Sequence, residues 1–310
     1  MVDNRISVGG AEVARVVEWV GPMAPSGVLF PQTPESAWLD HADELVPTFW
    51  DPETGYCRLA VQTWVIRVDG LTVIVDTGVG NDRERPQNPV FHKLATDFPV
   101  ALEKAGVDRD SVDVVINTHI HLDHVGWNTF LDNDTWRPTF PNARYLVSAA
   151  DHDYFHPDNA QSMRAPRNDD EKARFEGMRL VWDDSIAPIA DSGQLEMWSG
   201  DSHQVSPSLE LFPAPGHTPG SSVVWLESAA VFVGDLTHTA LQIHRPGDPC
   251  AFDVDPATAT ASRQRVLGQA ASRGALVAPA HYPGHGATTL AASDTEPGYR
   301  PDQWAALDSI

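Results

Sequence analysis

Cysteine is scarce: Cys57 and Cys250 are the two in 310 residues and stand far apart. No disulfide framework follows, and both read as buried hydrophobes rather than ligands or nucleophiles. No apolar run approaches the roughly 18 to 20 residues of a membrane span. The N-terminal stretch MVDNRISVGGAEVARVVEWV carries acidic residues and has no apolar signal-peptide core, so a cytoplasmic location is expected. Basic residues are outnumbered, 21 against 43 acidic, for a net charge of −22. No Lys/Arg stripe reverses this locally, which argues against a phosphate backbone as partner. Repeats and low-complexity segments are missing, as is a serine elbow of the G-x-S-x-G type. Apolar residues at 42% and charged residues at 21% describe a globular chain. Its length suits a single domain over residues 1–310.

Histidine, by contrast, is concentrated. His119, His121, Asp123 and His124 lie in Thr118-His-Ile-His-Leu-Asp-His-Val-Gly126, four metal-ligand side chains in six positions. The apolar run Val112–Ile116 before them reads as a buried strand, so the cluster sits on the loop leaving its end, where α/β folds bind ligands. Alternation turns His119 and His121 one way and Asp123 and His124 another, which suits two neighbouring metals.

The rest of the chain repeats this pattern. Val61–Val68 and Leu71–Val75 read as strands turning at Asp69-Gly70, and the second ends in Asp76-Thr-Gly78. Leu94, Phe98, Ala101, Leu102 and Ala105 follow helical spacing, stopped by Gly106. Residues 170–182 read as helix, and Leu209–Phe212 and Ser222–Leu226 as strands. Pro215-Gly-His-Thr-Pro-Gly-Ser221 places His217 in a fixed turn, and Ala230–Val233 delivers Asp235. Asp255-Pro256 opens a helix running to about Ser272, and Ala275–Ala278 delivers His281. Strands and helices in this order predict an α/β layered fold. Residues 20–58, rich in proline among Phe30, Trp38, Phe49 and Trp50, read as irregular, so residues 1–58 are expected as an N-terminal arm on the domain. Its aromatics either anchor that arm or line a substrate pocket. Nitrogen and carboxylate ligands without thiolates suit Zn²⁺, with Mn²⁺, Fe²⁺ or Co²⁺ as alternatives.

The HxHxDH run, the GHTPGS turn, the late Asp235 and the final His281 resemble, in order, the motifs of the metallo-β-lactamase superfamily over about residues 60–286. The resemblance implies a four-layer αββα sandwich with the site at one edge of two sheets. Carried over by residue, it implies that His119, His121 and His217 hold one metal and Asp123, His124 and His281 a second, with Asp235 bridging. Asp76 would either support the loop behind the ligands or cap a turn, and His285 rivals His281 for the last ligand place. The implied chemistry is hydrolysis by a water shared between two cations and acidified towards about pKa 7.

Within the superfamily, the Cys-Gly-Arg stretch that follows the bridging Asp of glyoxalase II and persulfide dioxygenases is replaced here by Leu236-Thr-His-Thr-Ala-Leu-Gln242. Gly234-Asp-Leu-Thr-His238, Phe252-Asp-Val-Asp255 and Ala280-His-Tyr-Pro-Gly-His-Gly286 are most similar to the methyl parathion hydrolase subgroup and its N-acyl-homoserine lactonase relatives. The lactonases often carry Tyr three residues after the bridging Asp, where this chain has His238. His238 would then donate to the substrate or leaving alkoxide, or form pocket wall. The implied activity is a lactonase or esterase, with Asp123, Asp235 and His238 as catalytic residues. The alternatives are a phosphotriester hydrolase on the same site and a mononuclear iron persulfide dioxygenase. A small-molecule substrate, no nucleic acid, no membrane and a homodimer are the corresponding expectations. Trp127 and Tyr282 are candidates for either pocket or core, and His152 and His156 for surface or rim.

Overall fold

The computed structural model describes residues 4–293 and 298–310. One seven-stranded sheet holds β1 (Arg5–Val8), β2 (Ala11–Pro25), β3 (Tyr56–Val68), β4 (Leu71–Val75) and β5 (Val114–Ile116) in sequence order. A separate hairpin of β6 (Thr129–Asp132) and β7 (Thr135–Pro138) intervenes, and β8 (Arg144–Ser148) and β9 (Leu195–Trp198) complete that sheet. The second sheet, also seven-stranded, runs β10 (His203–Ser206), β11 (Leu209–Pro213), β12 (Ser222–Leu226), β13 (Ala230–Gly234), β14 (Leu276–Pro279), β15 (Thr288–Ala292) and β16 (Tyr299–Trp304).

The inner faces of the two sheets meet in one apolar layer. Trp64, Ile66, Val75 and Ile116 of the first pack against Leu211, Val224, Phe232 and Ala278 of the second. Outside the first sheet lie α4 (Phe98–Lys104), α5 (Ala149–Phe155), α6 (Asp169–Val181) and α7 (Ala187–Asp191). Outside the second lie α8 (Leu241–His244) and α9 (Pro256–Arg273), whose Val266, Leu267 and Ala270 face Val231 and Val277. The result is the four-layer αββα sandwich implied by the motifs. Helix α9 begins and ends as its sequence predicts. Asp255 accepts from the Ala257 and Thr258 amides, and Gly274 closes it at φ 61°.

The N-terminal region differs from expectation. Residues 20–25 belong to strand β2, paired from Glu12↔Arg67 to Pro25↔Tyr56 with two bulges, so the first sheet claims residues 5–25. The prolines misled because β1 covers β2 only along Ala11–Ala14. Beyond that the outer edge of β2 has no strand partner among the described residues, and an edge tolerates Pro22 and Pro25 without losing ladder bonds. The irregular segment is therefore 26–55, three short helices, α1 (Ser26–Leu29), α2 (Glu35–Asp40) and α3 (Ala42–Leu45), with Phe30, Trp38, Phe49 and Trp50 packed into the core outside the second sheet.

Strands β4, β5 and β8 run parallel, as do β13 and β14. Their carboxyl ends open on one edge and release Asp76, His119, Asp151, Asp235 and His281 in turn. No described helix is long and apolar enough to cross a membrane.

Candidate metal centre

The loops on that edge bring all seven ligand candidates together. Two sets of donor atoms form, one from His119, His121, His217 and Asp235 and one from Asp123, His124 and His281. His121 Nδ1 lies 3.0 Å from His119 Nε2 and 3.1 Å from His217 Nε2. Asp235 divides its oxygens between the sets. Its Oδ2 faces His217 Nε2 at 3.2 Å and His119 Nε2 at 3.7 Å, while Oδ1 faces His281 Nε2 at 2.9 Å and His124 Nε2 at 3.1 Å. Asp123 stands at the second set, 3.6 Å from His281 Nε2 and 3.8 Å from His124 Nε2.

The backs of the rings decide which nitrogen is free. His124 Nδ1 is 2.9 Å from Asp76, His217 Nδ1 is 3.0 Å from Asp253, and His281 Nδ1 is 2.7 Å from the Ala60 carbonyl. His119 Nδ1 meets the Thr118 hydroxyl at 3.2 Å, and that hydroxyl is committed as donor to Asp76. In these four rings the outer nitrogen faces an acceptor, so Nδ1 holds a proton and Nε2 is the nitrogen turned inward, whereas His121 turns its Nδ1 inward. His124 Nε2 and Asp235 Oδ1 are buried without a hydrogen-bond partner of acceptable geometry among the described residues. Orphaned inward lone pairs at roughly the spacing of ligands around a tetrahedral cation with 2.0–2.1 Å bonds fit metal ions.

Charge is strained here without a cation. Burial, then the neighbouring imidazoles, push His119 and His121 well below the ordinary histidine range. Burial also opposes charge on His217, but its bonds to Asp235 and Asp253 lift it to about 9. His124 and His281 are raised in the same way, against burial, chiefly by Asp235.

The loops are held from below. Asp151, in the first turn of α5 after β8, accepts from the Ile120 amide at 2.9 Å, the Gly220 amide at 2.6 Å and the Thr218 hydroxyl at 2.9 Å, tying the HxHxDH loop to the GHTPGS turn. Asp76 accepts from the Thr118 amide at 2.8 Å, so it supports the ligand loop. In the turn, Gly216 has φ 128°, and a Cβ there would stand 2.0 Å from the Ala259 amide nitrogen. Asp151 escapes motif reading because it is no ligand and sits in the first turn of α5, and Asp253, though inside the Phe252–Asp255 stretch, gives in sequence no sign of which ring it supports.

The cluster floors a cavity of about 300 Å³. His121, Asp123, Asp235, His238 and His281 reach it, and Leu122, Phe91, Phe155, Phe175, Met178 and Phe252 give apolar wall. His238 sits over the floor with Nε2 3.2 Å from Asp235 Oδ2 and its ring parallel to His281. The loop supplying Phe91 is pinned by buried Arg83 and Arg85, both paired with Asp184 at 2.8 and 2.7 Å. Trp127 and Tyr282 are core, not pocket. The Trp127 indole donates to Glu18 at 2.7 Å, and the Tyr282 hydroxyl donates to the Thr239 carbonyl at 2.9 Å. Of the arm aromatics, Phe30 stands edge-on to the His238 ring with 6.4 Å between centroids. His285 turns away to the Leu307 carbonyl, and His152 and His156 pack on Trp182 outside the cavity. A further group, His41, Glu44 and His244, lies outside this cavity; its two rings stack at 4.0 Å and His244 Nε2 pairs with Glu44 at 2.8 Å.

A model of the metallo-beta-lactamase superfamily matches residues 58–281. No curated protein matches the chain by sequence. Among solved structures, the hydrolase AbOPH of the beta lactamase superfamily is similar at 20% identity and TM-score 0.78, covering 97% of each chain. AidC, a dizinc quorum-quenching lactonase in complex with a homoserine product, is similar at 20% identity and TM-score 0.77, with 97% of each chain covered. A probable metal-dependent hydrolase from Staphylococcus aureus is similar at 17% identity and TM-score 0.74, over 97% of this chain and 100% of the other. At such identities these structures share the fold. With the motifs, the convergent donors and the matched span taken together, the chain belongs to the metallo-beta-lactamase superfamily, as one of its hydrolases.

Proposed function

We propose that the protein is a dinuclear metal-dependent hydrolase that opens a lactone or cleaves a related carboxylic ester. The division of Asp235 between two imidazole sets carries this reading, because a carboxylate facing both sets suits a bridge between two cations. His119, His121 and His217 would hold one ion, Asp123, His124 and His281 the other, and Asp235 both. The donor set of imidazole and carboxylate suits Zn²⁺ first, and Mn²⁺, Fe²⁺ or Co²⁺ after it. When bound, two such cations acidify a water and polarise a carbonyl.

The remaining work falls to the chain itself. Asp76 and Asp253 keep the His124 and His217 rings oriented. The apolar wall seats the acyl part and excludes bulk water, which strengthens every charge interaction on the floor. His238, neutral because burial lowers its pKa, is placed to donate one N–H to the substrate or the leaving alkoxide. The lactone preference is supported by the cavity's small polar floor beneath apolar walls and by AidC, described as a lactonase, among the similar folds.

The test is a hydrolysis screen of the Zn²⁺- or Mn²⁺-loaded protein over lactones, aryl esters, phosphotriesters and β-lactams, with metal counted per chain. Lactone or ester turnover with two ions, abolished in Asp123→Ala and Asp235→Ala, is expected. Turnover confined to phosphotriesters selects the alternative substrate, and one iron with uptake of dissolved oxygen in the presence of a persulfide overturns the hydrolase.

A further inference from the structure

Besides its metal-ligand floor, the cavity carries a second polar feature. Arg164, Glu171 and Arg174 line one wall, with Arg167 just behind. Glu171 is fully committed: Arg164 donates to its two oxygens at 2.8 and 2.5 Å, and the Arg167 side chain donates to Oε1 at 2.7 Å. The Arg167 amide adds a further bond to Oε2. The Arg174 guanidinium reaches no closer than 3.7 Å to this carboxylate and makes no hydrogen bond to any described residue. Its guanidinium carbon lies over the Phe252 ring, 4.6 Å from the centroid, and the side chain is about one-third exposed at 34%.

Three guanidiniums around one carboxylate leave two positive charges in excess, in a chain with 43 acidic and 21 basic residues. Gathering like charge is unfavourable unless something of opposite sign arrives. The remaining charged side chains on the cavity, Asp123 and Asp235, belong to the metal-ligand sets. Arg174 is therefore the cation on this wall left for a ligand, and the planar fork of a guanidinium matches a planar carboxylate in two parallel N–H···O bonds.

Resting on the reading of this cavity as the substrate site, we propose that Arg174 forms an anion subsite. The preferred substrate is then an ester or lactone that carries a carboxylate remote from its scissile bond. A charge-assisted pair contributes roughly 10- to 150-fold in affinity.

The test uses a matched pair, p-nitrophenyl hexanoate and the p-nitrophenyl monoester of adipic acid, with the Zn²⁺-loaded full chain. KM should favour the adipate ester by about tenfold or more, and Arg174→Met should erase that preference while Arg174→Lys keeps part of it. Calorimetric binding of adipate against hexanoate to the same three proteins gives a second readout independent of turnover. Equal KM values for the two esters in the wild type, or a preference that survives in Arg174→Met, overturns the subsite while leaving the hydrolase intact. Absence of turnover with both esters counts against the hydrolase, and the binding difference alone then decides for or against Arg174.

Discussion

Asp253 Oδ1 lies 3.0 Å from His217 Nδ1, behind the ring whose Nε2 faces Asp235 at 3.2 Å. A carboxylate there fixes the tautomer, orients the ring and raises the basicity of the inward nitrogen. Asp253→Ala should weaken metal binding by roughly 10- to 100-fold, measured by competition with a chromogenic chelator. Asp253 also accepts from the Cys250 amide at 2.9 Å, so a far-ultraviolet spectrum must accompany the titration. Unchanged metal affinity in a folded variant would falsify the orienting role.

His238 touches the floor without belonging to either donor set. Its Nε2 is 3.2 Å from Asp235 Oδ2, its Nδ1 has no hydrogen-bond partner among the described residues, and its backbone amide is anchored to Gln242 at 2.7 Å. His238→Ala should therefore keep the full metal count and lose about 10²-fold in kcat, the lower end for a positioned proton donor. A fall in bound metal instead would make it a ligand. Unchanged kcat would leave it as wall.

Metal removal should be felt as lost stability. Without cations, five imidazoles and two carboxylates are buried against one another at 2.9–3.8 Å. Ion at a hundredfold excess over its Kd adds about 2.7 kcal/mol, so chelation should lower Tm and Zn²⁺ or Mn²⁺ restore it. Binding must also displace the proton that His217 keeps up to about 9. Affinity should then strengthen as pH rises towards about 9 and weaken below it, with protons released on binding. A Tm indifferent to chelator, or affinity flat with pH, contradicts the centre.

The sandwich and its floor were legible because strand, turn and ligand recur as contiguous words. Val112–Ile116 with His119, Ala230–Val233 with Asp235, and Ala275–Ala278 with His281 each carry their own signal within a few residues. What escaped is what depends on distant partners. Strand β2 was hidden by Pro22 and Pro25, whose tolerance follows from an unpaired edge that no local pattern announces. Trp127 and Tyr282 were ambiguous because sequence adjacency to a ligand fixes position but not the side of the loop a ring faces. Asp151 and Asp253 act through backbone and ring contacts 31 and 36 residues away, and Arg174 reads simply as the polar face of α6.

Glu18 makes the remaining prediction. It reaches from β2 to accept from the Val79 amide at 2.6 Å, the Gly80 amide at 3.1 Å and the Trp127 indole at 2.7 Å, joining the loop after β4 to the end of the ligand loop. Burial dominates over these bonds and lifts its carboxyl from 4.5 to about 7. Between those values the unfolded chain releases a proton that the folded chain keeps. The folded state binds more protons, so its stability falls as pH rises through that window and levels above about 7. The full difference is on the order of 3 kcal/mol. Urea midpoints at pH 5 and pH 8 should therefore differ more in the wild type than in Glu18→Gln, which has no proton to lose. The acidic surface adds a pH slope of its own, but it is common to both proteins and cancels in the comparison. Equal slopes would mean that Glu18 is ionised across the whole window, with its amide and indole donors outweighing burial.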